Sequence, residues 1–332
     1  MYREISVVQI GMGPIGQEVL RAVASRRGLH LIGAVDIDAA IAGRDAGKVA
    51  GIGPIGVTVS SQVPPAAGRN SSVALHTTGS SLPKVVGQLE ELVRAGYHIV
   101  STCEELAYPQ ALQPQLALRL DALAKENSVA VLGTGVNPGY VFDTLILTAT
   151  AVCQRVDHIR ARRVLDAGKR RLPLQQKVGA GLSREEFQKR VDAGRVRHVG
   201  LEESIRMVTD GIGWTIDRVE EETEGVVAEY EHRTQYITIP AGSVAGVHQT
   251  GRAYSGGREV LNLDLKMYVG APESYDEIEI TGSPSIKLRI DGGAPGDPST
   301  AAMVINSIPA VLASQPGLTS MSQLRLVHCW GQ

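Results

Sequence analysis

Hydrophobic and polar positions along the first 150 residues alternate between two periods. Ile5-Ser6-Val7-Val8-Gln9-Ile10 is a short apolar run stopped by Gly11, the pattern of a buried strand. Beyond it, Ile15, Val19, Leu20 and Val23 recur at the spacing of one helix face. Residues 29–35 form a second strand pattern closing at Asp36, and Val57-Thr58-Val59 a short third. Strand patterns return at 73–78, 98–102 and 129–132, with helix patterns at 83–95 and 112–127 between them. Strands alternating with helices predict βαβ units, and so an α/β fold with a Rossmann-type doubly wound parallel sheet.

The pattern then changes. Residues 157–165 read as a strand, and Ser183 as the N-cap of a helix whose first turn carries Glu185 and Glu186. A second helix is expected at 198–210. Residues 214–288 are mostly strand-like, rich in Thr, Val, Ile and Tyr with glycine punctuation. Near the end, Asp297-Pro298 predicts an N-cap with proline at the first helical position, and Ala301, Val304, Ile305 and Ile308 share the following helix face. The expected organisation is one domain over 1–140, completed by the helix near 297–314, and an α+β domain over 141–296.

The length of 332 residues fits two domains. With 43% hydrophobic and 20% charged residues the composition is globular, which excludes collagen-like, coiled-coil and disordered classes. A net charge of −2 supplies no field toward nucleic acid or an anionic membrane, so neither is an expected partner. No apolar run is long enough for a membrane span, and Met1-Tyr2-Arg3-Glu4 leads straight into a strand too short for a signal segment. Cys103, Cys153 and Cys329 are odd in number and far apart, so neither a disulfide framework nor a cysteine zinc site is expected, and the default compartment is cytoplasmic. The eight histidines make no H-x-x-x-H or H-E-x-x-H pattern, so no metal centre is expected. His198 and His248 stand as substrate-side candidates.

Five segments carry chemistry. Gly11-Met12-Gly13-Pro14-Ile15-Gly16 follows a strand and opens a helix, the context that gives a G-x-G-x-x-G string its meaning. Gly11 permits the tight turn, Gly13 lets the backbone approach a pyrophosphate, and Gly16 allows close helix–strand packing. Pro14 has no N–H to lose, and with Ile15 it completes the cradle. Asp36 lies 20 residues beyond Gly16, where a carboxylate binds the ribose hydroxyls and repels a 2′-phosphate. Asp36 and Asp38 together favour NAD, while Arg44 keeps NADP open. Thr77, Thr78 and Gly79 end a strand and are expected at the nicotinamide ribose, although Ser81 just beyond also suits a helix cap.

Ser101-Thr102-Cys103-Glu104-Glu105 ends the next strand. If strand alternation continues, one acid faces the cofactor and the other solvent. A carboxylate there suits an ammonium group or general-base work, the plain alternative being two solvated acids. Cys103 has no paired histidine and reads as a small core residue at the cofactor edge rather than a nucleophile. Gly133-Thr134-Gly135-Val136-Asn137-Pro138-Gly139 forms an unusual loop at the same edge, where Asn137 offers donor and acceptor to a carboxamide.

The strings G-M-G-P-I-G, A-V-D-I-D, H-T-T-G-S-S, S-T-C-E-E-L and G-T-G-V-N-P-G-Y-V-F-D resemble those of 2,4-diaminopentanoate dehydrogenases and the related native amine dehydrogenases. The resemblance continues through R-R-L-P-L-Q-Q-K-V-G-A-G-L, H-V-G-L-E-E-S and T-A-A-M-V-I-N-S-I-P, and so covers nearly the whole chain. It implies a dihydrodipicolinate-reductase-like fold and reversible oxidative deamination of an amine to a ketone or aldehyde plus ammonia. It also implies NAD or NADP as cofactor, Glu104 as the catalytic carboxylate, and a pocket lined by Val136, Tyr140 and Val141. The family's β-rich domain pairs subunits, which implies a homodimer. No H-H-x-x-K run is present, which disfavours dihydrodipicolinate reductase itself. Two other readings stay open at this point: another NAD(P)-dependent oxidoreductase, such as a semialdehyde or hydroxy-acid dehydrogenase, and a non-catalytic NAD(H)-sensing protein.

Overall fold

The computed structural model describes residues 4–68 and 71–331. Met1–Arg3, read above as leading into the first strand, lie outside them. The chain divides into two compact units, one of residues 1–140 and 295–332, the other of residues 141–294.

In chain order the first stretch runs β1 (Ile5–Ile10), α1 (Pro14–Ala24), β2 (Leu29–Val35), α2 (Ala46–Val49), β3 (Val59–Ser60), β4 (Ser72–His76), α3 (Leu82–Arg94), β5 (His98–Ser101), α4 (Pro114–Glu126) and β6 (Ala130–Gly133). The second unit runs α5 (Thr144–Thr150), β7 (Arg155–Asp166), α6 (Leu172–Lys177), α7 (Arg184–Asp192), α8 (Leu201–Ile212), β8 (Arg218–Val227), β9 (His232–Arg233), β10 (Thr238–Ile239), β11 (Val244–Ser255), β12 (Arg258–Tyr268), β13 (Tyr275–Ser283) and β14 (Ile286–Asp291). The chain then returns to the first unit with α9 (Gly296–Leu312) and β15 (Gly317–Thr319).

The first unit holds a seven-stranded sheet in the order β15-β6-β5-β4-β1-β2-β3, every neighbouring pair parallel. Its strands read as near-continuous apolar runs because helices cover both faces of such a sheet. α3 buries Leu82, Val85, Val86, Leu89, Leu92 and Val93, a stripe at helical spacing, against Val8, Ile10, Ala74, Ile99 and Val131. Each fully buried leucine there is worth about 1.5–3 kcal/mol. The strand order reverses between β1 and β4, and ligands of open α/β sheets bind outside the carboxyl ends at that point.

The second unit carries a six-stranded mixed sheet, β14-β13-β7-β12-β11-β8, in which only β7 and β12 run parallel. α8 lies flat on it because Gly251 has no side chain: a Cβ there would sit 2.8 Å from Ile205 Cδ1. A buried ion pair fixes the unit's last residue. Arg163 Nη1 bonds Asp276 Oδ1 at 2.6 Å, Arg163 Nη2 donates to the Ala294 carbonyl at 2.6 Å, and Asp276 Oδ2 accepts the Ala294 N–H at 2.7 Å. Among the described residues no helix is long and apolar enough to cross a membrane.

Several boundaries differ from the sequence reading. The third strand is Val59–Ser60 rather than 57–59, since Thr58 is taken by an isolated bridge to Asp45. α8 begins at Leu201, not 198, because Gly200 in the left-handed region (φ +102°) precedes it, and it runs on until Gly213 at φ +84°. The last helix opens at Gly296 with Pro295 as N-cap; Asp297 sits in its first turn, where its charge still favours the helix start. Ser183 caps α7 as read, accepting the Glu186 N–H at 3.1 Å. A further helix, Thr144–Thr150, to which the sequence reading gives no bounds, is capped by Asp143.

Candidate active site

Strand register brings four loops to one edge. Ile10 pairs with His76, His76 with Ser101, and Ser101 with Gly133. The glycine loop, the 77–79 segment, the Glu104 turn and the 133–139 loop therefore all leave the sheet from one row of residues.

In the glycine loop the three glycines have different reasons. Gly11 is at φ +88°, and a Cβ on it would sit 2.9 Å from the Thr77 carbonyl oxygen. A Cβ on Gly16 would lie 1.9 Å from the Gly11 oxygen. Gly13 has ordinary extended backbone, φ −64°, and a Cβ there would meet nothing within 4 Å. Gly13 is also the N-cap of α1, with no side-chain cap bond, and Pro14 follows it. An uncapped helix start beneath open space is the cradle that a pyrophosphate needs. The loop fits a dinucleotide on these two observations.

Beside it, Asp36 Oδ2 accepts the Met12 N–H at 2.5 Å and Oδ1 the Asp38 N–H at 2.9 Å. The carboxylate is thus fixed against the glycine loop, with acceptor capacity left for hydroxyl groups. Asp38 is exposed and takes the Ala40 N–H at 2.8 Å, and Arg44 is exposed as well. Beneath the loop, Gln9 Nε2 donates to the Gly11 oxygen and to Thr77 Oγ1, both at 2.9 Å. The Thr77 hydroxyl lies 3.0 Å from both the Ile10 and Gly11 carbonyl oxygens. That hydroxyl holds the loop rather than standing out toward a ribose.

Thr78 is tied inward too. Its hydroxyl donates to Gln88 Oε1 at 2.7 Å and lies 2.8 Å from His76 Nε2. His76 is fully buried, with Nε2 3.0 Å from Gln88 Oε1 and Nδ1 2.8 Å from Ser101 Oγ. Gln88 Oε1 only accepts, which assigns the proton to Nε2; Ser101 then donates to Nδ1. Ser101 Oγ also accepts the Cys103 N–H at 3.1 Å. Burial pushes His76 down from 6.5 to about 4, so it is neutral at physiological pH. Below pH 6.5 the unfolded chain takes up a proton that the folded chain refuses. Stability is therefore lost as pH falls from 6.5 toward about 4. Urea unfolding at pH 7 and pH 4.5 is expected to show about 2–3 kcal/mol more acid loss in the native protein than in His76→Gln. Equal losses in both would contradict a buried neutral His76.

β5 stops at Ser101, and Glu104–Leu106 is a single 3-10 turn. Strand alternation therefore does not separate Glu104 from Glu105, which corrects that part of the sequence reading. Glu105 is not simply turned to solvent either: its Oε2 accepts the Leu82 N–H and a Gln113 Nε2–H, both at 2.8 Å. Glu104 opens the turn and is partly exposed. The turn rests on β6, where a Cβ on Gly133 would come within 2.4 Å of the Leu106 backbone. Cys103 is 1% exposed within the hydrophobic core, and burial, followed by the charge of Glu104, pushes its thiol up to about 12. A thiol held protonated is no nucleophile.

The 133–139 loop is buried throughout and includes a cis Asn137–Pro138 bond. Gly139 is at φ +126°, and a Cβ on it would sit 2.4 Å from the Gly135 nitrogen. The Val136 N–H donates to Thr300 Oγ1 of α9 at 3.3 Å, so the last helix helps shape this loop. Val136 and Asn137 are each 8% exposed, and Tyr140 is half-buried. Val141 and His198 belong to the second unit. Val141 is fully buried there, and the His198 backbone is bracketed by Gln249, which accepts its N–H at 2.7 Å and donates to its carbonyl at 3.1 Å. His248 lies on β11, 3.1 Å from Asp264. Gln9, Gln88, Gln113 and Thr300 escaped the sequence reading; only Gln9 left a sign, as a polar residue inside an apolar strand.

A family profile for the 2,4-diaminopentanoate dehydrogenase C-terminal domain matches residues 140–332, and one for the N-terminus of dihydrodipicolinate reductase matches residues 5–102. The chain is 32% identical to a 2,4-diaminopentanoate dehydrogenase of Acetoanaerobium sticklandii over 339 aligned residues, covering 97% of this chain and 93% of that one. It is 26% identical to an amine dehydrogenase of Streptomyces virginiae over 166 residues, 49% of this chain and 46% of that one. The structure of an amine dehydrogenase from Mycobacterium smegmatis superposes with a TM-score of 0.85 at 23% identity, covering 100% of this chain and 99% of that one, and so shares the fold.

Proposed function

The chain belongs to the 2,4-diaminopentanoate dehydrogenase family, and from that premise we propose that it is an NAD(P)-dependent amine dehydrogenase with Glu104 as its catalytic carboxylate. The observation that carries this reading is the row Ile10, His76, Ser101 and Gly133, which gathers an open pyrophosphate cradle and a carboxylate-bearing turn at one sheet edge.

Gly11, Gly13, Pro14, Ile15 and Gly16 would hold the pyrophosphate, Asp36 the adenosine ribose, and Thr77, Thr78, Gly79, Cys103 and Asn137 would border the nicotinamide half. Bound nicotinamide supplies the acceptor for the hydride that leaves the amine carbon. The residues of this chain do the rest. The amine must be neutral before the C–H bond breaks, and the product carbon–nitrogen double bond is cationic. Glu104 stabilises that developing positive charge. Water then adds to the iminium carbon, Glu104 takes its proton, and the carbon–nitrogen bond breaks to leave carbonyl and ammonia. Val136, Tyr140, Val141 and His198 are the proposed substrate-side residues. A panel of amines with NAD or NADP, followed by absorbance of the reduced cofactor and by ammonium release, tests this. Reduced cofactor without stoichiometric ammonium sinks it.

Cofactor choice follows from Asp36. Its carboxylate is fixed beside the glycine loop, where it accepts hydroxyls and repels a 2′-phosphate. NAD is the proposed preferred cofactor, and Asp36→Ser is expected to raise the NADP/NAD ratio of kcat/KM. An unchanged ratio would remove Asp36 from the ribose site.

A further inference from the structure

We propose that Glu105 is a positioning residue for Glu104: its carboxylate locks the turn that presents the catalytic acid to the starts of α3 and α4. The inference rests on the assignment of Glu104 made above.

Both helix starts lack a cap of their own. Ser81, the N-cap of α3, makes no side-chain cap bond, and Pro83 in the first turn has no N–H. Gln113, the N-cap of α4, makes none either. One oxygen of Glu105 caps α3 by accepting the Leu82 N–H at 2.8 Å and also accepts a side-chain Nε2–H of Gln113, the residue before α4, at 2.8 Å. The Glu105 N–H in turn donates to the Ser80 carbonyl at 3.2 Å. Negative charge is favourable at the start of the 13-residue α3, and hydrogen bonds to an ionised acceptor are the stronger kind. Bonds to the first turn of α3, to the Gln113 side chain before α4 and to the Ser80 carbonyl therefore converge on the residue next to Glu104. The carboxylate spent on these bonds is not the one offered to substrate, which gives two adjacent acids two different tasks.

The test compares Glu105→Ala, Glu105→Gln, Gln113→Ala and Glu104→Gln in amine oxidation, with kcat, both KM values and the pH profile of kcat/KM. Misplacing a catalytic group by about 1 Å costs up to about 10²-fold, so Glu105→Ala is expected to lose about 10–10²-fold in kcat with the cofactor KM unchanged. Glu105→Gln keeps an oxygen for the Leu82 N–H and is expected to restore most of kcat, with the limbs of the pH profile unmoved. Gln113→Ala removes one of the two side-chain bonds and is expected to fall between wild type and Glu105→Ala, which keeps the test decisive if Glu105→Ala does not fold. Glu105→Gln as inactive as Glu105→Ala, or with a displaced acid limb, would overturn the positioning role. So would wild-type kcat in Glu105→Ala or in Gln113→Ala while Glu104→Gln is inactive. Full activity of Glu104→Gln would overturn the assignment of Glu104 itself, and this inference with it.

Discussion

Glu104→Gln is expected to lower kcat by about 10²–10⁴-fold while leaving NADH affinity nearly unchanged. Glutamine keeps the size and most of the hydrogen bonding of glutamate but lacks both charge and basicity. The reaction needs the charge when the amine carbon gives up its hydride and the nitrogen becomes cationic. It needs the basicity when water adds to the iminium. The proposed NADH cradle, the glycine loop after β1, lies two strands away from the Glu104 turn that follows β5, so NADH affinity is not expected to depend on the Glu104 side chain. Steady-state kinetics with a saturating amine, together with an NADH fluorescence titration, separate the two quantities. Near-wild-type kcat would end a carboxylate-assisted mechanism at this turn.

Gly13→Val is expected to abolish cofactor binding without unfolding the chain. The position explains the selectivity. Gly13 has backbone angles that any residue adopts, and a Cβ there meets no protein atom within 4 Å. A Cβ therefore has room in the fold, and the branched side chain of valine enters the space above the helix start proposed for the pyrophosphate. Gly16 is the contrast: a Cβ there lies 1.9 Å from the Gly11 oxygen, so Gly16→Ala is a folding defect rather than a binding defect. Circular dichroism and NADH fluorescence on Gly13→Val check both halves. NADH affinity like that of the native protein would place the pyrophosphate elsewhere.

Much of the first unit is legible in the sequence because its signals are local. A strand, a glycine loop and an amphipathic helix follow one another within 20 residues, and Asp36 closes the next strand. The mixed sheet of the second unit shows in its Thr, Val, Ile and Tyr content. What stays hidden depends on partners distant in sequence. The strand register that aligns His76 with Ser101 and Gly133 is a tertiary fact. So is the task of Glu105, whose partners are Leu82 and Gln113, and that of Thr300, which reaches Val136 from the last helix. The three-residue β15 carries too short an apolar run to announce itself, yet it finishes the parallel sheet beside β6. Thr77 shows the same limit from the other side: its hydroxyl reads as a ligand group, and the loop it holds becomes visible only with the fold.

The central claim is that the reduced cofactor's hydride and ammonia's nitrogen meet on one carbon at the Glu104 edge. Reductive amination with ¹⁵N-labelled ammonium, NADH and a ketone panel tests it most directly, with native protein and Glu104→Gln side by side. The expected result is ¹⁵N-labelled amine formed in step with NADH consumed by the native protein, with Glu104→Gln close to background. NADH consumption that ignores ammonium and yields an alcohol, or labelled amine formed equally by both proteins, would contradict it.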